Sequence, residues 1–309
     1  MEFIMSRISA KLKERGCIIR MVLIEHIAEL QKEIIKLHES GLLDGDLFEK
    51  SLSSFKFDYH REFTGAKSVI VVATPHNLTK LDFLWEGKTH AGVIPPTYID
   101  EKINKLVYKD LEIILSEEGY KVIRPKRVPL KLLAARSGLS KYGRNNISYI
   151  PEMGSFYSIQ SFYTDLICEQ DSWQAAENML SCNSCNLCVD NCPTGCIDKD
   201  RFLIHAENCL TNLNEYEEGF PEWVDSKWHN SLIGCMECQM VCPQNKDHIK
   251  IIDVLNAFTE DEISQILRNV PIYLLQENTI ETLQKYGLLE IYKDNILSRN
   301  LRVLLNKIS

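Results

Sequence analysis

The sequence predicts a mixed α/β domain, then a cysteine-rich domain, and finally a helical C-terminal tail. Apolar strand-like runs alternate with amphipathic helix-like runs as far as residue 166, which is the order expected of an α/β domain. Nine of the eleven cysteines follow, between residues 182 and 242. Apolar residues then return at helical spacing after residue 251. We therefore predict domains at residues 1–171, 172–249 and 250–309.

The front domain shows the clearest local patterns. Residues 6–15 have helical periodicity and end at Gly16, residues 17–24 are typical of a buried strand, and residues 25–40 form an amphipathic helix. Further strands are predicted at 65–75, 120–123, 147–150 and 157–166, with helices at 98–118 and 132–138. We interpret residues 76–96 as a loop, which either covers a pocket or carries scattered surface residues.

The cysteine-rich domain carries two related motifs. The first begins at Cys182 and has the spacing C-x2-C-x2-C-x3-C-P, which is the ligand pattern of bacterial 4Fe–4S ferredoxins. The second begins at Cys235 and has the shorter spacing C-x2-C-x3-C-P, and Cys209 is placed to supply the missing thiolate. Cys196 is left over, and we expect it to be packed rather than to bind iron.

The fourth cysteine of such a motif usually serves the other cluster, so we predict that the two motifs exchange ligands. One cluster takes Cys182, Cys185, Cys188 and Cys242, and the other takes Cys192, Cys209, Cys235 and Cys238. Two structural zinc ions are the alternative, although a zinc ribbon needs neither the additional cysteines of each motif nor the two Cys-Pro endings. A disulfide framework is not expected in a long chain without a secretion signal.

The composition of the chain argues against several classes of protein. The 309 residues carry a formal net charge of −8, which argues against general nucleic-acid binding but leaves room for a local basic site. No apolar run is long enough to cross a bilayer, and we find no signal peptide. Reduced cysteines and oxygen-sensitive clusters favour a cytoplasmic, anaerobic setting without a membrane partner. Either Met1 or Met5 could start the chain.

Residues 121–144 are basic within this acidic chain. The cations are Lys121, Arg124, Lys126, Arg127, Lys131, Arg136, Lys141 and Arg144. No acidic residue lies between Glu118 and Glu152. The segment is either an anion-binding site or a solvated basic face that offsets acidic neighbours.

Two neighbouring clusters indicate an electron wire. A plain two-cluster ferredoxin needs only the cysteine domain, whereas this chain places a whole α/β domain ahead of it. That arrangement favours an oxidoreductase in which the clusters feed a second redox centre or a substrate.

A set of short blocks resembles the epoxyqueuosine reductase family, relatives of the reductive dehalogenases. The blocks are residues 65–70 (GAKSVI), 133–139 (LAARSGL), 142–145 (YGRN), 154–156 (GSF), 164–166 (TDL), 192–195 (CPTG) and 234–243 (GCMECQMVCP). They occur in the family's order, and the resemblance covers about residues 64–245.

The resemblance implies that the front domain is of the cobalamin-binding type and holds cobalamin in its base-off form. Electrons would pass from reduced ferredoxin or flavodoxin through the ferredoxin-like double-cluster domain to cobalt. Gly143, Arg144 and Asn145 align with the family's Gly-Lys-Asn turn, so they are predicted cofactor contacts. Arg124 and Arg136 of the basic segment are predicted to pair with the corrinoid tail phosphate or an anionic substrate.

Two departures from the family matter. The family's catalytic aspartate falls at about Arg124, and the sequence offers no nearby carboxylate. Tyr98, Lys141 and Tyr142 are therefore candidate proton donors, with packed or merely exposed roles as the alternative. The tail also looks too short for the family's C-terminal helical repeats, so tRNA is not expected as the substrate.

Our leading hypothesis is a cobalamin-dependent reductase with two 4Fe–4S clusters that acts on a small molecule. The alternatives are a tRNA epoxyqueuosine reductase, an electron-transfer or corrinoid-activating protein without its own substrate, and a zinc-binding module.

Overall fold

A computed structural model of the chain describes residues 2–98 and 101–306. The chain divides into two units. Unit 1 consists of Met1–Pro75, Lys102–Cys185 and Asp198–His205, and unit 2 consists of His76–Glu101, Asn186–Ile197 and Ala206–Ser309. Unit 2 thus takes residues from each of the three segments predicted as domains.

The helices and strands are numbered in chain order. The helices are α1 (Glu2–Lys13), α2 (Ile27–Glu39), α3 (Gly45–Lys50), α4 (Tyr59–Glu62), α5 (Glu101–Glu117), α6 (Leu130–Arg136), α7 (Leu187–Asp190), α8 (Leu210–Glu215), α9 (Glu237–Met240), α10 (Glu260–Leu267), α11 (Glu277–Lys285), α12 (Leu289–Lys293) and α13 (Ile296–Asn306). The strands are β1 (Ile18–Leu23), β2 (Ser68–Pro75), β3 (Leu78–Trp85), β4 (Lys88–Ile94), β5 (Val122–Ile123), β6 (Lys141–Tyr142), β7 (Ser148–Tyr149), β8 (Tyr157–Thr164) and β9 (Ile251–Val254).

Unit 1 is built on a four-stranded sheet with the order β1-β2-β8-β5. All three pairings are antiparallel, and Val69 of β2 lies opposite Tyr163 of β8. Side chains alternate between the two faces of a strand, so a central strand that is apolar throughout must be covered on both sides. Residues 68–74 of β2 are all buried, as that rule requires.

Helices cover both faces of this sheet. On one face, Leu12 of α1 and Leu111 of α5 join a core that contains Ile70 of β2. On the other face, a second core joins Leu30 of α2 to Val71 of β2. The core that contains Leu30 also includes residues of α6 and the half-buried aromatic residues that flank α4. Helices α1 and α5 therefore lie on the opposite side of the sheet from α2, α4 and α6.

The predicted mixed α/β character is confirmed, and most of the front elements lie where the sequence places them. Helix α1 begins earlier than predicted, and α5 is preceded by a short 3-10 turn over Pro96–Tyr98. The predicted helix at 98–118 includes residues 99 and 100, which lie outside the described residues. Gly16 and Gly138 have positive φ angles of 74° and 68°, which is the conformation expected of glycines that end helices.

The prediction of a loop over residues 76–96 is wrong. Strands β3 and β4 form an antiparallel hairpin there, with Leu81 opposite Gly92. Its turn is Glu86-Gly87, and both residues have positive φ angles, 50° and 72°. Such a two-residue turn matches the twist of paired strands. The alternation around Leu81 and Phe83, which are buried while Asp82 between them is half-buried, was the signal that we missed.

Unit 2 contains the three-stranded sheet β4-β3-β9 and the helices of the tail. Phe83 of β3 shares one core with Ile266 of α10, Leu283 of α11 and Leu301 of α13. Thr259 and Glu262 complete a capping box at the start of α10. In the part of the chain that the structure describes, no helix has the length and apolar character needed to span a membrane.

Candidate metal centres and reductase site

All eleven cysteines lie within the described residues and none is in a disulfide, and burial sorts them into two groups. The three cysteines that we did not assign as ligands, Cys17, Cys168 and Cys196, are buried. The eight predicted ligands, Cys182, Cys185, Cys188, Cys192, Cys209, Cys235, Cys238 and Cys242, are all half-buried. The assignment of each cysteine to one cluster or the other stays a prediction.

Two short helices hold equivalent cysteines of the two motifs. Cys188 lies in α7 and Cys238 in α9, and in unit 2 these helices contact each other. Each motif then ends at a proline, Pro193 or Pro243, which cannot continue the helix. Among residues 3–98 and 102–306, no three His, Cys, Asp or Glu side chains already form a site for a single metal ion. The repeated motif, rather than a preformed ion site, therefore identifies this region.

Cys196 is an additional thiol beside two predicted ligands. Its Sγ lies 3.5 Å from Sγ of Cys192. Hydrogen bonding by the Cys196 thiol lowers the pKa of both Cys192 and Cys209, while its own pKa is raised. The thiolate is the form that binds metal. Cys196 is thus packed, as predicted, and it favours the thiolate form of Cys192 and Cys209.

The loops around Cys209 and Cys235 are fixed by amide side chains that sequence reasoning missed. Asn214 is fully buried, and its Nδ2 donates to the carbonyl of Gly234 at 2.6 Å. Nδ2 of Asn300, on α13, donates to the carbonyls of Asn214 and Leu232 at 3.0 and 2.9 Å. The tail helix therefore holds the segments that carry two predicted ligands.

Arg299 strengthens the same attachment. Its guanidinium donates to the carbonyls of Leu213, Tyr216 and Glu218, which lie at and just beyond the end of α8. It also lies over the ring of Phe220, with Cζ 4.2 Å from the ring centroid. A cation at a helix C-terminus satisfies carbonyls that have no partner within the helix. Helix α8 begins directly after Cys209, so this contact fixes the ligand segment from its far end.

Tyr98, one of the predicted proton donors, lies beside a cysteine motif. Its hydroxyl donates to the carboxylate of Glu215. A Cβ added to Gly234 would lie 3.1 Å from the Tyr98 ring, so the ring packs directly on the turn before Cys235. Burial raises the pKa of Tyr98 and also that of Glu215. The pair can therefore hold a proton close to the predicted cluster ligands.

The other two predicted donors lie together in β6 of unit 1. Nζ of Lys141 forms an exposed ion pair with Glu177 at 2.6 Å. Burial raises the pKa of Tyr142, so its phenol stays protonated at neutral pH. Lys131 approaches the ring face of Tyr142, with Nζ 6.0 Å from the centroid.

The turn that follows is tied to the first cysteine motif. Arg144 is buried, and its guanidinium donates to the carbonyls of Lys199 and of Cys182, the latter at 2.8 Å. Nδ2 of Asn145 donates to the Tyr149 hydroxyl at 2.9 Å. Nε, the third guanidinium nitrogen of Arg144, is buried without a hydrogen-bond partner. These predicted cofactor contacts thus stabilise the unit itself.

The two arginines that were predicted to pair with an anion, Arg136 and Arg124, lie in different surroundings. Arg136 is bound to Glu29 at 3.2 Å and lies over Trp173, with Cζ 4.6 Å from the ring centroid. Arg124 is exposed, and no ion pair to it is found in the described parts of the chain. The residues therefore fit a corrinoid only in part, through the Arg124 guanidinium and Nε of Arg144.

The sequence shows no carboxylate near the position of the family's aspartate, but the fold brings one to this loop from a distant part of the chain. Oε2 of Glu62, at the end of α4, accepts a hydrogen bond from the backbone N–H of Lys126 at 2.9 Å. It thus lies at the loop that begins at Arg124. Glu62 and Lys126 are 64 residues apart in the chain, so neither motif nor spacing could have revealed the contact.

Comparison with known proteins places these features in a family context. A family model described as a 4Fe-4S double cluster binding domain matches residues 181–245. The epoxyqueuosine reductase of Staphylococcus aureus is 24% identical over 271 residues, covering 84% of this chain and 67% of that protein. That of Listeria monocytogenes is 34% identical over 116 residues, covering 38% of this chain and 29% of that protein.

Solved structures share the fold. The epoxyqueuosine reductase of Streptococcus thermophilus has a TM-score of 0.65 at 19% identity and covers 97% of this chain and 80% of its own. An epoxyqueuosine reductase crystallised with an epoxyqueuosine-modified tRNA stem loop has a TM-score of 0.70 at 19% identity, covering 99% and 82%. The likeness thus extends beyond residues 64–245 to the tail. The chain carries a 4Fe–4S double cluster binding domain, and its sequence and fold are similar to those of epoxyqueuosine reductases.

Proposed function

We propose that this chain is an iron–sulfur reductase of the epoxyqueuosine reductase type, and that it removes the epoxide oxygen of epoxyqueuosine in tRNA. The observation that carries the proposal is the extent of the sequence likeness. It covers 84% of the chain and so reaches well beyond the cysteine-rich residues 181–245. A plain electron carrier would share only the cysteine-rich region. The first candidate substrate is therefore tRNA, and not the small molecule that the sequence alone favoured.

The proposed reaction matches a chain with two clusters. Removal of an epoxide oxygen as water takes two electrons and two protons, and it leaves a carbon–carbon double bond. A 4Fe–4S cluster passes electrons singly, so a pair of clusters can deliver both in succession. We propose reduced ferredoxin or flavodoxin as the donor, because low-potential clusters need a donor of comparable potential.

The proposal includes base-off cobalamin, which would supply a low-potential cobalt centre when bound. Arg124 is the predicted contact whose charged group is exposed, and it suits a phosphate. Arg144 would offer its unpaired Nε–H while its other nitrogens keep the Cys182 and Lys199 carbonyls. A base-off absorption spectrum on adding cobalamin to anaerobically purified protein is the expected result.

Protons in the proposed reaction come from this chain's own side chains. Glu62 is the proposed source, because its carboxylate is held at the loop where the family resemblance puts an aspartate. The hydrogen bond from Lys126 N–H fixes one carboxylate oxygen of Glu62 at this loop. Glu62→Gln is expected to keep cofactor binding and to lose most of the activity.

The deciding experiment uses cluster-loaded protein with cobalamin, reduced flavodoxin and tRNA isolated from cells that accumulate epoxyqueuosine. Mass spectrometry of the digested nucleosides is expected to show the loss of one oxygen from epoxyqueuosine. Cys238→Ala should abolish this conversion, whereas Cys168→Ala, which removes a buried thiol outside the motifs, should preserve it. Unchanged epoxyqueuosine with fully loaded protein would contradict the proposal.

A small anionic molecule is the second candidate substrate. One observation favours it, namely that an exposed arginine, Arg124, stands where the family resemblance puts a carboxylate. Turnover of a small epoxide or halide bearing a carboxylate, with no change in tRNA, would select this candidate. Electron transfer to a separate corrinoid protein, without turnover of either substrate, would instead select an electron-transfer or corrinoid-activating role.

A further inference from the structure

Cys196 is a buried thiol of unit 2 that touches two predicted cluster ligands without being one of them. Its side chain is 3% exposed. Its Sγ lies 3.5 Å from Sγ of Cys192, and it also forms a hydrogen bond with the thiol of Cys209. Cys192 and Cys209 are predicted to bind the same cluster. A third thiol is therefore within hydrogen-bond distance of two ligands of one cluster.

The turn that follows Cys192 brings Cys196 back to its neighbour. The chain reads Cys-Pro-Thr-Gly-Cys here, and the N–H of Gly195 donates to the carbonyl of Cys192 at 3.1 Å. Gly195 has a φ angle of 65°, which a glycine adopts without strain. The position of Cys196 beside Cys192 thus follows from a turn that is closed by its own backbone.

The second cysteine motif forms a similar turn without a thiol at this position. There the N–H of Asn245 donates to the carbonyl of Cys242 at 3.0 Å, and the residue four positions after Cys242 is Lys246. Lys246 is exposed, whereas Cys196 at the equivalent position is buried. The turn itself therefore does not require the Cys196 thiol, and the thiol needs another explanation.

Iron binding decides which of the three sulfurs keeps a proton. A cysteine binds iron as the thiolate, and a thiolate can only accept hydrogen bonds. Burial and two adjacent negative sulfurs disfavour a third negative charge at Cys196. Cys196 thus keeps its proton. Once Cys192 and Cys209 both bind iron, the S–H of Cys196 must donate to one of them.

Other donors lie around ligands of the same predicted cluster. Oγ1 of Thr194 lies 3.6 Å from Sγ of Cys192, and its hydroxyl must donate once that sulfur binds iron. Nδ2 of Asn230 donates to Sγ of Cys235 at 3.8 Å. Each of these two side chains reaches one ligand sulfur by these contacts, whereas Cys196 reaches two. Cys196 is therefore placed to act on the cluster more strongly than a donor to a single ligand.

Donors to the ligand sulfurs change the energy of reducing a cluster. Hydrogen bonds to these sulfurs are among the features that set the reduction potential of a 4Fe–4S cluster. Reduction adds one negative charge, which the cluster shares with its ligand sulfurs. Hydrogen bonds to a more negatively charged acceptor are stronger, so a donor stabilises the reduced form more than the oxidised form. The reduction potential therefore rises.

We propose that Cys196 raises the reduction potential of the cluster bound by Cys192, Cys209, Cys235 and Cys238, by donating its S–H to a ligand sulfur. Cys196 itself binds no iron and acts through its neighbours. The inference depends on the double cluster binding domain and not on epoxyqueuosine as the substrate, so it is tested without tRNA.

The test is a redox titration of the cluster-loaded protein, in which EPR spectroscopy follows the reduction of each cluster. Cys196→Ala and Cys196→Val both remove the donor, one with a smaller side chain and the other with a larger one. Each is expected to lower the ratio of reduced to oxidised cluster at a given potential about tenfold, which for one electron is a shift of about 59 mV. The other cluster should keep its potential and provides an internal reference.

Two further variants separate the hydrogen bond from packing. Cys196→Ser keeps a donor on a side chain of similar size, and a hydroxyl donates better than a thiol. Its potential should therefore equal or exceed that of the wild type. Cys168→Ala removes a buried thiol outside the motifs and should leave both potentials unchanged. Iron analysis should give about eight irons per chain in every variant.

The inference is overturned if Cys196→Ala and Cys196→Val titrate as the wild type does. It also fails if Cys196→Ser lowers the potential as far as they do, because packing alone would then explain the effect. Loss of about four irons from Cys196→Ala would show that Cys196 is itself a ligand, which contradicts the inference as well. Failure of the proposed function has a different signature. Epoxyqueuosine would then stay unreduced, while the three Cys196 variants still showed the expected order of potentials.

Discussion

The internal contacts that stabilise unit 1 differ in kind from those that stabilise unit 2. Unit 1 buries apolar side chains on both faces of an antiparallel sheet, with Leu111 on one face and Leu30 on the other. Unit 2 also has an apolar core, but its cysteine loops have little regular structure. There, Asn214, Asn300 and Arg299 bind loop carbonyls directly.

This difference shows that a fold can be specified by apolar burial, whereas a metal site also needs directed hydrogen bonds. Burial is not directional, so the sheet of unit 1 tolerates many apolar sequences with similar patterns. A cluster needs its ligand backbones at fixed positions, and directed hydrogen bonds supply that precision. The sheet and helices of unit 1 should therefore respond to mutation mainly through their stability, and the cysteine loops of unit 2 mainly through their iron content.

The largest effect is expected from a ligand in α9. Cys238→Ala should remove one cluster and so about half of roughly eight irons per chain. Cys168→Ala, at a buried thiol of unit 1, should keep all the iron. Iron analysis together with EPR spectroscopy of the reduced protein measures both outcomes. Equal iron content in the two variants would refute the ligand assignment and the comparison built on it.

Asn300→Ala tests the carbonyl contacts of the tail helix. The change leaves the buried carbonyls of Asn214 and Leu232 without their partner, which should cost about 3 kcal/mol and promote iron loss. Leu111→Ala in unit 1 should cost a similar amount, about 3 kcal/mol, without affecting iron retention. Urea unfolding combined with iron release measures both effects. If Leu111→Ala loses iron as readily, the two units do not differ in the way we describe.

A pair of glycines tests how tightly each unit is packed. A Cβ at Gly143 would lie 2.6 Å from the Tyr149 ring, so Gly143→Ala should destabilise unit 1 by about 2 kcal/mol. A Cβ at Gly219 of unit 2 would meet no atom within 4 Å, so Gly219→Ala should change stability by less than about 0.5 kcal/mol. Thermal unfolding gives both values, and equal values would show that the Gly143 turn relaxes freely.

The smallest effect is expected at alkaline pH. Burial raises the pKa of Tyr157 from 10.0 to about 12. Between those values the unfolded state loses the proton while the native state keeps it, so stability is complete below about pH 10 and falls towards pH 12. By about pH 11 the loss should be roughly 1–2 kcal/mol. Tyr157→Phe should flatten this part of the profile, whereas Tyr273→Phe, at an exposed tyrosine of unit 2, should leave it unchanged.

Sequence patterns predicted the parts of the fold that depend on burial. The strand at residues 65–75 and the helix at 25–40 lie where periodicity puts them, because a buried face requires a regular apolar repeat. The hairpin β3–β4 was missed because its strands mix polar residues such as Lys80 with buried Leu81. Its Glu86-Gly87 turn also lacks the asparagine or aspartate that usually marks such turns.

The candidate site was predictable only where chemistry imposes a spacing. Cysteine motifs follow from the geometry of a cluster, so the sequence names eight candidate ligands, and their binding of iron stays a prediction. Contacts such as Glu62 with Lys126 join residues far apart in the chain, and no local pattern encodes them. The same is true of Arg144, which we predicted as a cofactor contact from a motif and which the fold uses to bind the Cys182 carbonyl.

The closeness of Cys192 and Cys196 has a consequence for handling the protein in air. Their sulfur atoms are 3.5 Å apart, so once iron has left, an oxidant can join them as a disulfide with little movement of the chain. That bond would withdraw Cys192 from cluster assembly until a reductant restored the thiol. Preparations exposed to oxygen should therefore regain iron only after treatment with dithiothreitol, and replacing Cys196 with alanine should remove that requirement.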